Sequence, residues 1–325
     1  MVSRRVDPAV RTLLENLAAQ GRPPLETLSP VEARAAAEEG IRAMGGTPEP
    51  VRSIEDLTIP GPLGDIAIRV YTPEEPGPRP AVVYYHGGGW VVCNLDTHQV
   101  VCSAIARRAG AVVVAVDYRL APEHKFPAAV LDAYAGLQWT VANAERLGID
   151  RNRISVGGDS AGGNLAAVVC LKSRDEKGPA IASQILVYPV TDLSSFETFS
   201  YEEFKEEHYL TRAQMEWFRN HYLADPADAK NPYASPLLAP DLSRLPRAMI
   251  ILAQCDPLLD EGDAYRERLR AAGSSADSTM YVGMIHPFFT LSGVIPQASR
   301  AIDQFAEAVR RADARPRSSS DWQRW

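Results

Sequence analysis

Val156-Gly157-Gly158-Asp159-Ser160-Ala161-Gly162-Gly163-Asn164 joins an apolar, β-branched run to a helix-forming run through a turn with little room for side chains. Gly158 and Gly162 frame Ser160 as Gly-x-Ser-x-Gly, a spacing that allows the sharp strand-to-helix turn that lifts a serine hydroxyl out of a sheet. The pentapeptide also arises by chance. It therefore indicates a nucleophile only if suitable partners are found elsewhere in the chain.

Composition sets limits on the partners and location of the protein. The length of 325 residues suits one large α/β domain with an insertion, or two ordinary domains. A formal net charge of -7 offers no attraction for polyphosphate, so we expect no nucleic-acid partner. The sequence has no N-terminal apolar stretch that reads as a secretory signal or a transmembrane helix. We therefore expect no stable membrane insertion and a cytoplasmic location.

The four cysteines show no C-x-x-C spacing, and three of them lie in apolar runs: Cys93, Cys102, Cys170 and Cys255. This pattern favours buried, reduced thiols over disulfide bonds or metal ligands.

Two amphipathic helices and a hairpin are predicted before the main sheet. Asp7-Pro8 is typical of a helix N-terminus, and Ser29 with Glu32 has the form of a capping box that starts a second helix. Alternating residues at 66–71 after a Gly-Pro turn indicate an antiparallel hairpin. The two helices precede any strand signal, so we expect them to lie over the main domain.

Strand and helix patterns then alternate, which predicts a mostly parallel sheet with helices on both faces. The predicted strands are 81–85, 111–116, 153–156, 184–188, 248–253 and 278–282. The predicted helices are 98–108, 127–146, the segment after Ser160, 260–272 and 296–312.

One long segment, 191–240, interrupts this alternation with many aromatic residues and charges but no clear strand. It is too long for a plain connection, so we interpret it as a helical insertion. Aromatic density alone favours a segment that packs its own side chains over a lid that covers a site.

A catalytic serine needs a base within hydrogen-bond reach and a third group that orients this base. His286 follows the last predicted strand, where a loop leaves the sheet. The other histidines precede the serine, lie in a proline-rich loop or lie among the charges of the insertion: His86, His98, His124, His208 and His221. His286 is therefore the candidate base.

The candidate acid is Asp256, which directly follows the predicted strand 248–253. Three competing carboxylates, Asp260, Glu261 and Asp263, come where a helix begins, and helix N-termini attract acids through capping and dipole effects alone. Ser160, Asp256 and His286 thus occur in the order nucleophile, acid, histidine that is typical of α/β-hydrolases.

The segment His86-Gly87-Gly88-Gly89 follows a predicted buried strand. Three consecutive glycines lose much conformational entropy on folding and fill no core volume. Their presence therefore favours a loop whose exposed backbone approaches a ligand closely. Such a loop can supply amides to the negative oxygen of a tetrahedral intermediate.

Together these residues resemble the hormone-sensitive-lipase-like family of carboxylesterases. The resemblance spans about 80–288 and rests on five blocks: His86-Gly87-Gly88-Gly89-Trp90, Asp117-Tyr118-Arg119-Leu120-Ala121-Pro122-Glu123, Gly158-Asp159-Ser160-Ala161-Gly162-Gly163-Asn164, Asp256-Pro257-Leu258, and His286 with Phe288. The Asp159 form of the elbow is similar to the GDSAG subgroup. The chain departs from the family pattern at Pro287, where glycine is frequent, and at Leu259, where arginine is frequent.

The resemblance implies an α/β-hydrolase fold in which Gly88, Gly89 and Ala161 offer the oxyanion-hole amides. It also implies that Glu123 braces the loop beneath them and that His86, Gly87 and Asp159 are supporting residues.

The last residues, 316–325, are mostly polar and basic apart from two tryptophans, which predicts a frayed tail. The resemblance further implies a division of the rest of the chain into N-terminal cap helices (1–50), a core (51–190 and 241–315) and a helical cap insertion (191–240). This reverses the preference drawn above from aromatic density.

We therefore predict a serine carboxylesterase that acts on short-to-medium acyl or aryl esters, with no metal or cofactor. Amide, lactone or arylacetamide hydrolysis by the same triad is the main alternative. A non-catalytic small-ligand receptor on the same fold is a further alternative, although the related receptors lack the triad histidine. Family members are often dimers, so a homodimer is an open expectation.

Overall fold

The computed structural model describes residues 5–313, which form nine α-helices and a single eight-stranded sheet. The strands are β1 (Ser53–Gly61), β2 (Gly64–Thr72), β3 (Arg79–Tyr85), β4 (Val112–Asp117), β5 (Ile149–Asp159), β6 (Ser183–Val187), β7 (Arg247–Cys255) and β8 (Ala276–Ile285). The helices are α1 (Pro8–Ala19), α2 (Pro30–Met44), α3 (Gln99–Ala109), α4 (Ala128–Ala142), α5 (Ala161–Asp175), α6 (Phe199–Glu203), α7 (Arg212–Tyr222), α8 (Leu259–Ala271) and α9 (Pro296–Arg311). The predicted tail, 316–325, lies outside the described residues.

The strands lie in the order β1-β2-β4-β3-β5-β6-β7-β8. β1 pairs antiparallel with β2 and β2 with β4, whereas every later pairing is parallel. This confirms the predicted opening hairpin and the mostly parallel sheet. Parallel strands all end at one edge, so loops that leave β3, β5, β7 and β8 meet there.

Both faces of the sheet are covered, which is why its central strands are continuous apolar runs. On β3, Val83 points into the core beneath α4 and α5, while Val82 and Tyr84 point into the core beneath α3 and α9. All three side chains are buried, and each buried valine contributes about 1.5–3 kcal/mol to folding. The two cores hold the strand ends in fixed positions.

The predicted N-terminal caps are present. The Asp7 side chain accepts a hydrogen bond from the Ala9 amide at the start of α1. Ser29 and Glu32 form a reciprocal capping box at the start of α2, and Gly45 is the C-cap that follows its last residue. Strands β5 and β8 extend beyond their predicted ranges because backbone pairing continues past the apolar residues that mark them in the sequence.

The segment 191–240 contains α6, α7 and two short 3-10 helices, Pro226–Lys230 and Pro236–Leu238. Most of its aromatic side chains are buried, but Phe199 is 73% exposed. Tyr222 stacks on Trp90, with ring centroids 4.2 Å apart. Since Trp90 directly follows the three glycines, this stacking joins the segment to the glycine loop.

All four cysteines are buried and unbonded, as their sequence context predicts. Between residues 5 and 313, no helix has both the length and the apolar character needed to cross a bilayer.

The turn between β5 and α5 is closely packed against the end of β3. Ser160 has φ 56° and ψ -121°, values that a non-glycine residue seldom adopts. A Cβ atom added to Gly162 would lie 1.9 Å from the Tyr85 carbonyl oxygen, and one added to Gly158 would lie 2.2 Å from the same atom. Only glycine at both positions lets the backbone pass here.

Gly162→Ala should lower the free energy of unfolding by about 3 kcal/mol, because neither the helix nor β3 can yield to the added methyl group. Gly21→Ala is the matched control: Gly21 has φ +59° but no atom within 4 Å of an added Cβ. It should cost only about 1 kcal/mol from backbone strain. Urea unfolding of both variants tests this, and equal losses would contradict the steric argument.

Candidate active site

Three predicted side chains meet at the carboxyl edge of the sheet. Ser160 follows β5, Asp256 follows β7 and His286 follows β8. The His286 Nε2 atom lies 2.9 Å from the Ser160 Oγ, and its Nδ1 atom lies 2.9 Å from an Asp256 oxygen. The second Asp256 oxygen accepts a hydrogen bond from the Leu258 amide at 2.9 Å. The structure thus joins all three in one hydrogen-bonded chain.

This arrangement determines the tautomer of His286. An ionised carboxylate can only accept hydrogen bonds, so Nδ1 must carry the proton shared with Asp256. Nε2 is then an acceptor directed at the Ser160 hydroxyl. All three side chains are buried, which keeps this hydrogen bonding away from competing water.

The glycine loop faces the same space as Ser160. Gly88 and Gly89 have positive φ angles of 112° and 57°. The Gly88 carbonyl accepts hydrogen bonds from the amides of Val91 and Val92, which closes the loop into a tight turn. Ala161 is the first residue of α5, where backbone amides have no partner within the helix and the helix dipole favours negative charge.

The Asp159 carboxylate connects the serine turn to the glycine loop. It is buried and accepts hydrogen bonds from the Tyr84 hydroxyl at 2.7 Å and the Gly87 amide at 3.1 Å, while the His98 Nε2 lies 3.1 Å away. Burial alone would raise the pKa of Asp159. The neighbouring His98 and the hydrogen bonds from His98 and Tyr84 outweigh burial and hold this pKa below its ordinary value.

His86 has a different environment. Its ring stacks on Tyr118 with centroids 4.3 Å apart, and its Nδ1 lies 2.7 Å from the Gly87 carbonyl oxygen. The Tyr118 hydroxyl donates to the His86 carbonyl. Burial, followed by the nearby His98, lowers the pKa of His86 to about 3. His86 is therefore neutral at pH 7, and it contacts the loop backbone instead of the serine.

Glu123 is linked to the glycine loop through Arg34. Its carboxylate binds the Arg34 guanidinium of α2 in a bidentate pair, which lowers the pKa of Glu123 to about 2. Arg34 in turn donates to the carbonyls of Val91 and Ala121. The bracing of the loop is therefore indirect and uses an N-terminal helix.

A cavity of about 770 Å³ opens in front of Ser160 and His286. Its walls come from α1, α2, the segment between them, the glycine loop and residues 207–218. The walls are mostly apolar; Leu14, Ile41, Met215 and Phe218 are among the lining residues. The Phe218 ring lies directly against Gly89, since a Cβ at Gly89 would meet ring atoms at 2.2 Å.

Sequence reasoning missed His98 and Arg34 as residues that support this site. Arg34 meets Glu123 across 89 positions of sequence and His98 meets Asp159 across 61, so no local pattern links either pair. His98 lies nine residues after Gly89, but this spacing from the glycine motif does not identify Asp159 as its partner.

Comparisons with known proteins agree with this fold. A family model described as an alpha/beta hydrolase fold matches residues 82–290. The chain is 43% identical over 263 residues to the carboxylic ester hydrolase LipN of Mycobacterium tuberculosis, a match covering 79% of this chain and 70% of that protein. It is 36% identical over 293 residues to an ethyl acetate hydrolase of Pseudomonas putida, covering 88% and 91%.

A solved structure is similar over almost the whole chain. The hyperthermophilic esterase from the archaeon Pyrobaculum calidifontis superposes with a TM-score of 0.90 and 43% sequence identity, covering 94% of this chain and 98% of that one.

The low pKa of His86 predicts a specific acid sensitivity. The folded protein binds a proton at His86 more weakly than the unfolded chain, where the imidazole titrates near 6.5. The contribution of neutral His86 to the free energy of unfolding is complete above pH 6.5. This contribution is lost as the pH falls from 6.5 towards 3, at about 1.4 kcal/mol per pH unit. His86→Asn should show a shallower loss of unfolding free energy between pH 6 and pH 4. Urea titrations at several pH values measure both slopes, and parallel slopes would contradict the assignment.

Proposed function

The chain belongs to the hormone-sensitive-lipase-like family of α/β-hydrolases and is a carboxylic ester hydrolase, and from this we propose that Ser160, Asp256 and His286 are its catalytic triad. One observation carries the proposal: the unbroken hydrogen-bonded chain from Asp256 through His286 to Ser160, which opens into a largely apolar cavity.

In the first half of the reaction, His286 Nε2 takes the proton of the Ser160 hydroxyl as Oγ attacks the ester carbonyl carbon. Asp256 stabilises the imidazolium that forms. The carbonyl oxygen becomes negative and is stabilised by the amides of Gly88, Gly89 and Ala161. His286 then donates its proton to the leaving alcohol, and an acyl-enzyme remains on Ser160.

In the second half, His286 accepts a proton from a water molecule that attacks the acyl carbon. The same amides stabilise the second tetrahedral intermediate. As it collapses, the bond to Ser160 breaks, the proton returns to the serine oxygen and the carboxylic acid is released. No group beyond those of the chain and water is needed to balance these steps.

We assign short-to-medium acyl or aryl esters as the substrate class. A cavity of about 770 Å³ accommodates a small ester with room to spare, and its apolar walls favour uncharged acyl and alcohol groups. One relative is named for ethyl acetate hydrolysis, which fits the lower end of this range. Amide or lactone hydrolysis would use the same triad, but no feature of the site favours it over ester hydrolysis.

The cap of this enzyme would consist of two parts of the chain, 1–50 and 191–240. Helices α1 and α2 and the residues around α7 supply most of the cavity wall opposite the sheet, which supports this assignment. The core would then be 51–190 and 241–315. A cytoplasmic location, a homodimer and the lack of a nucleic-acid partner stay predictions from the sequence.

Ser160→Ala should reduce the kcat for a p-nitrophenyl ester by at least about 10⁴-fold, because the oxyanion hole and binding alone retain only a small part of triad catalysis. Ser155→Ala is a matched control, since Ser155 is also buried on β5 but bonds Ser183 away from the site. Initial rates of product release measure both variants. Turnover by Ser160→Ala at the wild-type rate would refute the assignment.

Phe218→Ala should shift preference towards longer acyl chains, because removing the ring opens the cavity beside Gly89. The ratio of kcat/KM for an octanoyl ester to that for an acetyl ester should rise by about tenfold. Phe199→Ala is the control, since Phe199 lies in the same segment but is 73% exposed. An unchanged chain-length profile in Phe218→Ala would exclude Phe218 as a determinant of substrate size.

A further inference from the structure

We propose that His98 is a positioning residue for ester hydrolysis: as a buried imidazolium paired with Asp159, it fixes the glycine loop beside Ser160. The proposal rests on the role given above to the loop amides as the oxyanion hole. His98 itself has no contact with the Ser160, Asp256 and His286 hydrogen-bonded chain among the bonds of the described residues.

The hydrogen bonds around His98 indicate which of its nitrogens carry protons. The Thr97 hydroxyl donates to the Asn94 carbonyl at 2.7 Å, and this uses its only hydrogen. The His98 Nδ1 lies 2.9 Å from the same hydroxyl oxygen, so Nδ1 must be the donor in that contact. Nδ1 therefore carries a proton.

The other ring nitrogen faces a carboxylate. The His98 Nε2 lies 3.1 Å from one Asp159 oxygen and 3.3 Å from the other. Asp159 also accepts from the Tyr84 hydroxyl and the Gly87 amide, and these bonds favour its ionised form, which has no proton to donate. The Gly87 amide also lies 3.4 Å from Nε2, but its shorter contact, 3.1 Å, is with Asp159, so Nε2 is left to donate as well. With both nitrogens protonated, His98 is an imidazolium and the pair is a buried ion pair.

The charged and titratable neighbours are consistent with this state. The His86 ring is 5.6 Å from the His98 ring and is neutral, so it adds no like charge. The Tyr84 ring lies 6.1 Å from His98, and its hydroxyl is a donor to Asp159. Asp159 is thus the one negative group in direct contact with His98 among the described residues.

The ion pair acts on the reaction through one backbone amide. Gly87 donates to Asp159 at 3.1 Å, and a Cβ at Gly87 would lie 2.4 Å from the other carboxylate oxygen, so backbone and carboxylate are in close contact. Asp159 precedes Ser160 directly in the chain. The carboxylate therefore fixes the distance between the nucleophile and the loop that carries Gly88 and Gly89. Oxyanion stabilisation depends on this distance to within a fraction of an ångström.

A variant series separates the charge of His98 from its hydrogen bonds. His98→Phe removes both donors, and its kcat should fall about 100-fold, as for the loss of one oxyanion donor, with KM unchanged. His98→Gln retains a donor for Asp159, so its kcat should be about tenfold higher than that of His98→Phe. Affinity for a trifluoromethyl ketone, which forms a tetrahedral oxyanion on the serine, should fall in parallel with kcat/KM.

Two tyrosines provide a matched control for burial. Tyr84→Phe removes a buried hydroxyl that binds Asp159, whereas Tyr85→Phe removes a buried hydroxyl that binds the Ala133 carbonyl on the opposite face of β3. Tyr84→Phe should lower kcat and Tyr85→Phe should not, at similar thermal stability. An unchanged kcat in His98→Phe, or equal effects of the two tyrosine variants, would overturn the proposal.

The protonation state can be tested without activity. In ¹H–¹⁵N spectra of the ring nitrogens at pH 7.5, wild-type protein should show two protonated nitrogens on one imidazole, and both signals should be absent from His98→Gln. A single protonated nitrogen at His98 would overturn the ion pair. Because this measurement needs no turnover, it stays informative even if the wild-type protein hydrolyses no ester and the proposed triad is wrong.

Discussion

The site depends on the contact between the serine turn and the end of β3. Gly158 and Gly162 both approach the Tyr85 carbonyl more closely than any side chain would allow. This approach forces Ser160 into a rare backbone conformation and directs its hydroxyl out of the sheet. It also brings the start of α5 beside the glycine loop, because that loop begins at the residue after Tyr85. One steric constraint therefore sets the proposed nucleophile and the loop amides relative to each other.

Much of this site was predictable because its principal residues follow strands. Apolar runs of four to six residues mark β4, β6 and β7 clearly, and a parallel sheet brings the ends of its strands to one edge. Asp256 and His286 could therefore be placed near Ser160 without any pattern that links them directly. The glycine loop was recognisable for the same reason, together with the entropic cost that makes three glycines improbable in a plain connection.

The supporting contacts could not be predicted because they depend on side-chain direction in tertiary structure. Arg34 comes from a helix that precedes the sheet and reaches Glu123 and the Val91 carbonyl only after α2 has packed over the loop. Residues 191–240 show no hydrophobic periodicity that predicts their structure, since some of their aromatic side chains pack in the core and others line the cavity. Tyr222 stacks on Trp90 while Phe218, on the same helix, faces the cavity.

Electrostatics explain why a carboxylate can occupy the position next to Ser160, the proposed nucleophile. A buried negative charge beside Ser160 would oppose the negative charge that develops on the substrate oxygen, and the low dielectric of the site would strengthen this repulsion. Asp159 nevertheless gives the Gly87 amide an acceptor that no neutral group of its size would match in strength. The adjacent His98 resolves this conflict: it compensates the charge of Asp159 while leaving the hydrogen bond to Gly87 in place. The loop is thus fixed by a charged acceptor whose own charge is balanced by the neighbouring His98.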